Sequence, residues 1–244
     1  MTQQDILKYG VKLIVIFLCL PVHEFAHAWS ARKLGDTTQD HKGRLTLNPL
    51  AHLDLFGAVC LFLTGFGWAK PVQVESRMFK NFKRDMAITA AAGPISNLFL
   101  AFFGAILWKI TLCCYWVKAG FSITDITENT SGFSTAAYYQ IHAGNDALFW
   151  LQFILFYFVM INVGLAVFNF IPVPPLDGSK ILMFFLPDKT MYKMYEYQMY
   201  FYIGFIVVLM TGLLDIPLGL LRSGAFFIID MMTVWVPSLM EVIL

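Results

Sequence analysis

The chain has 244 residues, 58% of them hydrophobic and only 14% charged, against about 25% charged in an ordinary soluble domain. Its mean hydropathy of +0.66 means more apolar surface than one soluble core of this size could hide. Disorder and a coiled coil are excluded, and a net charge of +1 supplies no basic field for a nucleic acid. What remains is an all-α polytopic membrane protein, a single domain over residues 1–244 with four or five transmembrane helices.

The first apolar run, Ile6–Ala31, is long enough to cross about 30 Å of hydrocarbon. Lys8 and Lys12, the run Leu13–Leu20 and the triplet Ala26-His27-Ala28 imitate a secretory signal with its cleavage site. Cleavage there would discard the most chemically loaded residues of the chain, so the run reads as a retained span. A shorter piece, Leu55–Trp68, is punctuated by Gly57, Gly65 and Gly67 and reads as re-entrant. Further spans are expected at Ile88–Trp116, Leu148–Ile171 and Tyr197–Leu214. Ile216–Val236 is the fifth candidate, but it carries Arg222 and Asp230, and charge inside a span is expensive unless paired. Either it spans or it lies along the interface. Nine of the 17 basic residues fall between Arg32 and Arg84, whereas residues 117–147 hold only Lys118. The positive-inside rule therefore puts the first connection in the cytoplasm and both the N-terminus and the 117–147 loop outside, with Trp116 and Trp150 at the outer interface. The four cysteines lie in or beside apolar runs without C-x-x-C spacing and read as small apolar fillers.

His23-Glu24-Phe25-Ala26-His27 is an H-E-x-x-H pentapeptide inside the first span. At i and i+4 both imidazoles leave one helix face, close enough to ligate one ion, and Glu24 can reach a water beside it. On a soluble helix the same residues could be solvated; within a membrane, two histidines and a glutamate are costly and point to function. A catalytic zinc wants a third protein ligand. The continuation that would supply it on the same helix fails, because Ser30 and Lys33 stand where Gly and His are needed. His52, Asp54 and Asp177 are the candidates, and Asp177 is best placed. It follows Asn169-Phe-Ile-Pro172-Val-Pro174-Pro175-Leu176 at the cytoplasmic end of the third span, the depth expected for His23 and His27. Three prolines in four positions forbid continuous helix, and such backbone is tolerated at membrane depth only beside protein or a water-filled cavity. The same residues would also fit a plain helix stop, with Asp177 capping a helix Ser179–Leu186; the histidine pair turns the reading toward a ligand.

The chain resembles the site-2 protease family of intramembrane zinc metalloproteases. The resemblance rests on His23–His27, on Ala92-Gly93-Pro94-Ile-Ser96-Asn97-Leu98 at the start of the second span, and on Phe168-Asn169-Phe-Ile-Pro172-Val-Pro174-Pro175-Leu176-Asp177-Gly178. Gly43-Arg-Leu-Thr-Leu-Asn48-Pro49-Leu-Ala-His52-Leu-Asp54 and Gly67-Trp68-Ala-Lys70-Pro71-Val72 look like the short prokaryotic members without PDZ or CBS domains. The resemblance covers residues 11–186. It implies one Zn2+ per chain on His23, His27 and Asp177, Glu24 as general base, and Asn169 as a substrate-positioning or oxyanion-stabilising residue. It also implies a metalloendopeptidase of a prokaryotic cell membrane that cuts transmembrane segments of membrane-tethered regulators or signal-peptide remnants. Loop 117–147 and residues 197–244, the C-terminal helices, match no motif of the family. Gly93 and Asn97, four apart, read as close helix packing plus an interhelical amide bond, with a minor role for Asn97 at the substrate path as the alternative.

Lys70-Pro-Val-Gln-Val-Glu75 alternates apolar and polar residues and begins with a proline suited to an edge strand. A helix must unwind before its peptide bonds can be cut, and each backbone group freed in hydrocarbon needs a partner. Val72 and Val74 are therefore expected to bind substrate by strand addition on a short β segment between the first two spans; an ordinary surface hairpin is the plainer alternative. Among rival functions, a histidine-rich di-iron oxygenase fails on five histidines in all, and a carboxylate-bridged one lacks a second E-x-x-H. A transporter would show paired interrupted helices, and one broken segment is present. A pseudoprotease that binds helices uncut would have no need of Glu24.

Overall fold

Helix is the default for an apolar chain in lipid, because only helices and closed barrels satisfy every backbone N–H and C=O where no water can. The computed structural model describes residues 3–52, 54, 57, 70–118, 120, 122 and 147–243. Among them the chain runs through α1 (Gln3–Lys33), α2 (Thr38–His41), α3 (Pro49–His52), a 3-10 turn (Ser76–Met78), α4 (Phe82–Lys118) and α5 (Ala147–Asn169). Then follow α6 (Asp177–Phe185), α7 (Asp188–Glu196), α8 (Gln198–Met210), α9 (Asp215–Met232) and α10 (Trp235–Ile243). Among the described residues four stretches are long and apolar enough to cross a membrane: Leu13–Lys33, Phe82–Lys118, Ala147–Asn169 and Asp215–Ile243. The all-α polytopic architecture expected from composition is what the described residues form.

Local chemistry sets the helix ends that matter for the site. At the end of α1 the Asp36 N–H donates to the Ala31 carbonyl at 2.9 Å across Gly35, whose φ of +118° lies in the region that favours glycine. The start of α4 is a reciprocal box. Asn81 Oδ1 accepts the Arg84 N–H at 3.2 Å, while Asp85 Oδ2 accepts the Asn81 N–H at 3.0 Å.

The chain divides into two compact units, each with its own core. The first comprises Met1–Val15, Leu98–Gly164 and Gly219–Leu244. Here α4 and α5 pack through small residues: a Cβ at Gly104 would come within 2.8 Å of Phe158, and Trp108 lies 6.1 Å from Phe156, ring centre to ring centre. Phe99, Phe103 and Leu107, spaced four apart on the other side of α4, are more than half exposed, as a lipid-facing stripe should be. Lys109 on α4 pairs with Asp230 on α9, Nζ to Oδ1, at 2.7 Å. Of the two charges that argue against a span at Ile216–Val236, Asp230 thus has a partner in the same unit.

The second unit, Ile16–Asn97 and Leu165–Leu218, contains all the candidate site residues that the structure describes. Two expectations fail here. Tyr197–Leu214 is not one of the long apolar helices: α8 has 13 residues, about 20 Å at 1.5 Å per residue, and breaks at Thr211 and Gly212, the latter at φ +70°. No strand occurs among the described residues, so the expected short β segment is not formed. The N–H groups of Val72 and Glu75 are bonded to the Glu24 and Asp36 side chains, and the Lys70 N–H is bonded to the His52 carbonyl, so no neighbouring strand takes them. The re-entrant piece Leu55–Trp68 lies largely outside the described residues, as does loop 117–147.

Candidate metal centre

Helix α1 delivers His23 and His27 one turn apart. Their rings stand nearly perpendicular at 85°, centroids 4.6 Å apart, with the two Nε2 atoms 3.0 Å from each other. Asp177 Oδ2 closes the triangle, 3.3 Å from His23 Nε2 and 3.1 Å from His27 Nε2. All three residues are buried. Among the described residues they are the one group of three His, Cys, Asp or Glu side chains whose ligand atoms converge in this way.

The far side of each ring decides what the near side can do. His23 Nδ1 lies 2.6 Å from Asn97 Oδ1, and His27 Nδ1 lies 2.7 Å from the Thr89 carbonyl. Both partners are acceptors, so each Nδ1 carries the proton and each neutral ring turns its Nε2 lone pair inward. Two lone pairs and a carboxylate oxygen then face one point, an arrangement that repels itself unless a cation or protons sit there. Zinc ligands at about 2.1 Å in tetrahedral array stand about 3.4 Å apart; the three spacings here, 3.0 to 3.3 Å, fit one such ion. On the far side of the carboxylate, Lys180 Nζ lies 3.3 Å from Asp177 Oδ1 and favours its ionised form.

Asp177 reaches the histidines because the chain after α5 cannot stay helical. α6 begins at Asp177 with Leu176 in the cap position, so the plainer alternative, a helix Ser179–Leu186 with Asp177 as its cap, is not what forms. The carboxylate is taken by His23, His27 and Lys180, the last at 3.3 Å from Oδ1. Gly178 lets this turn lie against the end of α5, since a Cβ there would come within 2.5 Å of the Ile171 carbonyl oxygen.

Glu24 is buried beside the histidines and is not part of the converging group. Its Oε2 accepts the Val72 N–H at 2.9 Å. Asn169 is not drawn into the cluster: its Nδ2 donates to the Leu165 carbonyl on its own helix at 2.9 Å. Of the other two candidates for a third ligand, His52 bonds the Thr46 carbonyl through Nε2 at 2.8 Å and Asp54 accepts the Gly57 N–H at 2.8 Å. Neither faces the histidine pair.

Two residues read from sequence as packing prove to belong to the site. Asn97 orients His23. Gly93 lies against both rings: a Cβ there would come within 2.6 Å of His27 Cε1 and 2.7 Å of His23 Cε1, and closer still to His27 Nε2. Their spacing of four places them on one face of α4, and the signal for their role was that this face carries no bulky side chain between them.

The sequence profile of Peptidase family M50 matches residues 11–211. A protein of Bacillus subtilis (strain 168), YwhC, whose name marks it provisionally as a zinc metalloprotease, is 36% identical over 203 residues, 82% of this chain and 80% of that one. Rip2 of Mycolicibacterium smegmatis (strain ATCC 700084 / mc(2)155), similarly named, is 26% identical over 215 residues, 84% of this chain and 70% of that one. No solved structure matches the chain.

Proposed function

The chain belongs to peptidase family M50, and from that premise we propose that it is an intramembrane zinc endopeptidase in which His23, His27 and Asp177 hold one Zn2+ and Glu24 is the general base. The observation that carries this reading is the convergence of two inward lone pairs and an anionic oxygen within 3.3 Å of one another at a helix of membrane-spanning length. Zinc held there would polarise the scissile carbonyl and make a nearby water nucleophilic at neutral pH. Glu24 accepts the proton of the attacking water and returns it to the leaving nitrogen, so that the amine departs neutral. The apolar helices around the site exclude bulk water, which strengthens each of these charge interactions. Asn169 serves as a donor to the substrate backbone or to the developing oxyanion, and to do so it must exchange its bond to the Leu165 carbonyl for one to substrate.

The substrates are transmembrane segments of membrane-tethered proteins in a prokaryotic cell membrane, either regulators or signal-peptide remnants. Such a segment must unwind to be cut, and residues 72–74 would pair with it by strand addition, chiefly through Val74, because the Val72 N–H is engaged by Glu24. The deciding experiment uses purified protein in detergent with a peptide carrying a transmembrane sequence. Wild type should contain one zinc and cleave; Asp177→Ala should lose zinc and cleavage together. Glu24→Gln should keep zinc but lose cleavage by about 10²-fold to 10⁴-fold. Near-wild-type turnover by Glu24→Gln would sink the mechanism, and full zinc in folded Asp177→Ala would sink the ligand set.

A further inference from the structure

The hydrogen bond from Val72 to Glu24 is held in place from behind. Exposure alternates along residues 71–75, with Val72 and Val74 half-buried between exposed Pro71, Gln73 and Glu75. Glu75 has φ −90° and ψ 91°. This is the period and backbone of an extended chain, in which successive residues turn their N–H and C=O groups to opposite edges. Gln73 and Glu75 share one edge and Val72 shares the other with Val74.

The Gln73 and Glu75 edge is filled by two side chains that follow α1, Asp36 from the turn that ends it and Gln39 from α2. Gln39 Nε2 donates to the Gln73 carbonyl, and Asp36 Oδ2 accepts the Glu75 N–H at 2.8 Å. Both residues are completely buried. Asp36 is fixed in turn by Thr38, whose N–H and Oγ1 donate to its Oδ1 at 2.9 and 2.6 Å. Gln39 pays for its burial, since its Oε1 has no partner among the described residues; an apolar side chain would fill the space without that cost but could not grip the Gln73 carbonyl.

With that edge gripped, the opposite edge lies against α1 at Glu24. A glutamate has three free torsions, and a base that must meet a proton within hydrogen-bond reach is useful only if they are fixed. The Val72 N–H fixes them. Both anchors lie within six residues of the end of α1, the helix that carries Glu24, His23 and His27, Asp36 in the turn after it and Gln39 in α2.

We propose that Asp36 and Gln39 are positioning residues for cleavage: by clamping Glu75 and Gln73 they set the Val72 N–H on the Glu24 carboxylate. The proposal rests on the reading of Glu24 as the general base. Its test uses the full chain in detergent micelles and the peptide assay above, with zinc content, thermal midpoint, kcat and KM measured for wild type, Gln39→Met, Asp36→Ala and Val72→Pro. Gln39→Met keeps length and volume but removes the donor, and Val72→Pro deletes the N–H itself next to an existing proline. Each should keep its zinc and lose kcat by about tenfold to hundredfold, the scale of a misplaced catalytic group; a rise in KM with kcat unchanged would assign the clamp to substrate pairing by residues 72–74 and overturn the proposal. A purely structural role would instead lower the thermal midpoint and zinc content together and leave kcat per zinc unchanged. Zinc-loaded Gln39→Met and Val72→Pro with wild-type kcat would overturn the proposal, as would that structural pattern. If Asp36→Ala does not fold, those two variants decide. Failure of wild type to cleave, or full activity in Glu24→Gln, would instead overturn the underlying reading of the site.

Discussion

Replacing Gly93 by alanine adds one methyl group and tests the metal centre from a residue that ligates nothing. Its Cβ would lie 2.6 and 2.7 Å from the Cε1 atoms of His27 and His23, whereas non-bonded carbons rest at about 3.5–4.0 Å. Relief requires one or both rings to move by about 1 Å. Metal–ligand distances tolerate about 0.2 Å, and the rings cannot slide freely because Asn97 and the Thr89 carbonyl hold their Nδ1 atoms. Overpacking of this kind costs about 1–3 kcal/mol; taken from the zinc-binding free energy, that is a loss of about fivefold to 150-fold in affinity. The assay is competition between protein and a fluorescent zinc chelator, with circular dichroism confirming helix content. Gly104→Ala is the control, since its Cβ would approach Phe158 at 2.8 Å on the same helix α4, far in sequence from any proposed ligand; it should cost stability and leave zinc affinity alone. Gly93→Ala protein that is folded and binds zinc like wild type would show that the imidazoles do not hold the ion where they converge.

Asn97→Ala should weaken zinc about tenfold to hundredfold, the usual effect of losing a partner that orients a ligating histidine; Asn97→Asp, which keeps an acceptor for the His23 Nδ1–H, should recover most of it in the same competition assay. Lys109→Met alone leaves Asp230, whose side chain is one-third exposed, without its partner and should destabilise by about 1–3 kcal/mol, while Lys109→Met with Asp230→Leu should return close to wild type. Thermal melts in detergent read this out, and equal stability of the single and double variants would refute the pairing. Single cysteines at Ser76 and Ser131 in a cysteine-free background decide sidedness: an impermeant thiol reagent added outside cells should label position 131 and spare position 76, and the reverse would invert the topology.

What the sequence discloses about the site is what lies within one turn of helix or one proline-rich run. His23 and His27 are legible because i and i+4 share a face by helix geometry alone, and the break before Asp177 is legible because prolines forbid helix. Asn97 and Gly93 are read as packing because their partner rings lie 74 and about 66–70 residues away along the chain, and no local period encodes which two helices meet. The same limit bears on two of the expected spans. Asp230 counts as an unpaired charge until Lys109 is found 121 residues earlier, and Tyr197–Leu214 counts as one apolar run because hydropathy does not register that Gly212 takes a positive φ and ends α8.

Asp36 and Gln39 follow from the same reasoning carried one step outward. In sequence they sit in Gly35-Asp36-Thr37-Thr38-Gln39, which reads as an ordinary polar turn after a span. Turn residues that merely cap a helix are solvated on their far side, whereas these two have no exposure at all and spend their hydrogen bonds on Glu75 and Gln73. The physical requirement behind that arrangement is specific to a hydrolase that works beside lipid. Zinc ligands are fixed by the ion they share, but a general base touches no ion and must be immobilised by protein alone. The ring N–H groups of His23 and His27 beside Glu24 are already given to Asn97 and the Thr89 carbonyl, so the donor is a backbone N–H brought in from another segment. That segment, having no sheet to belong to, has to be held by side chains.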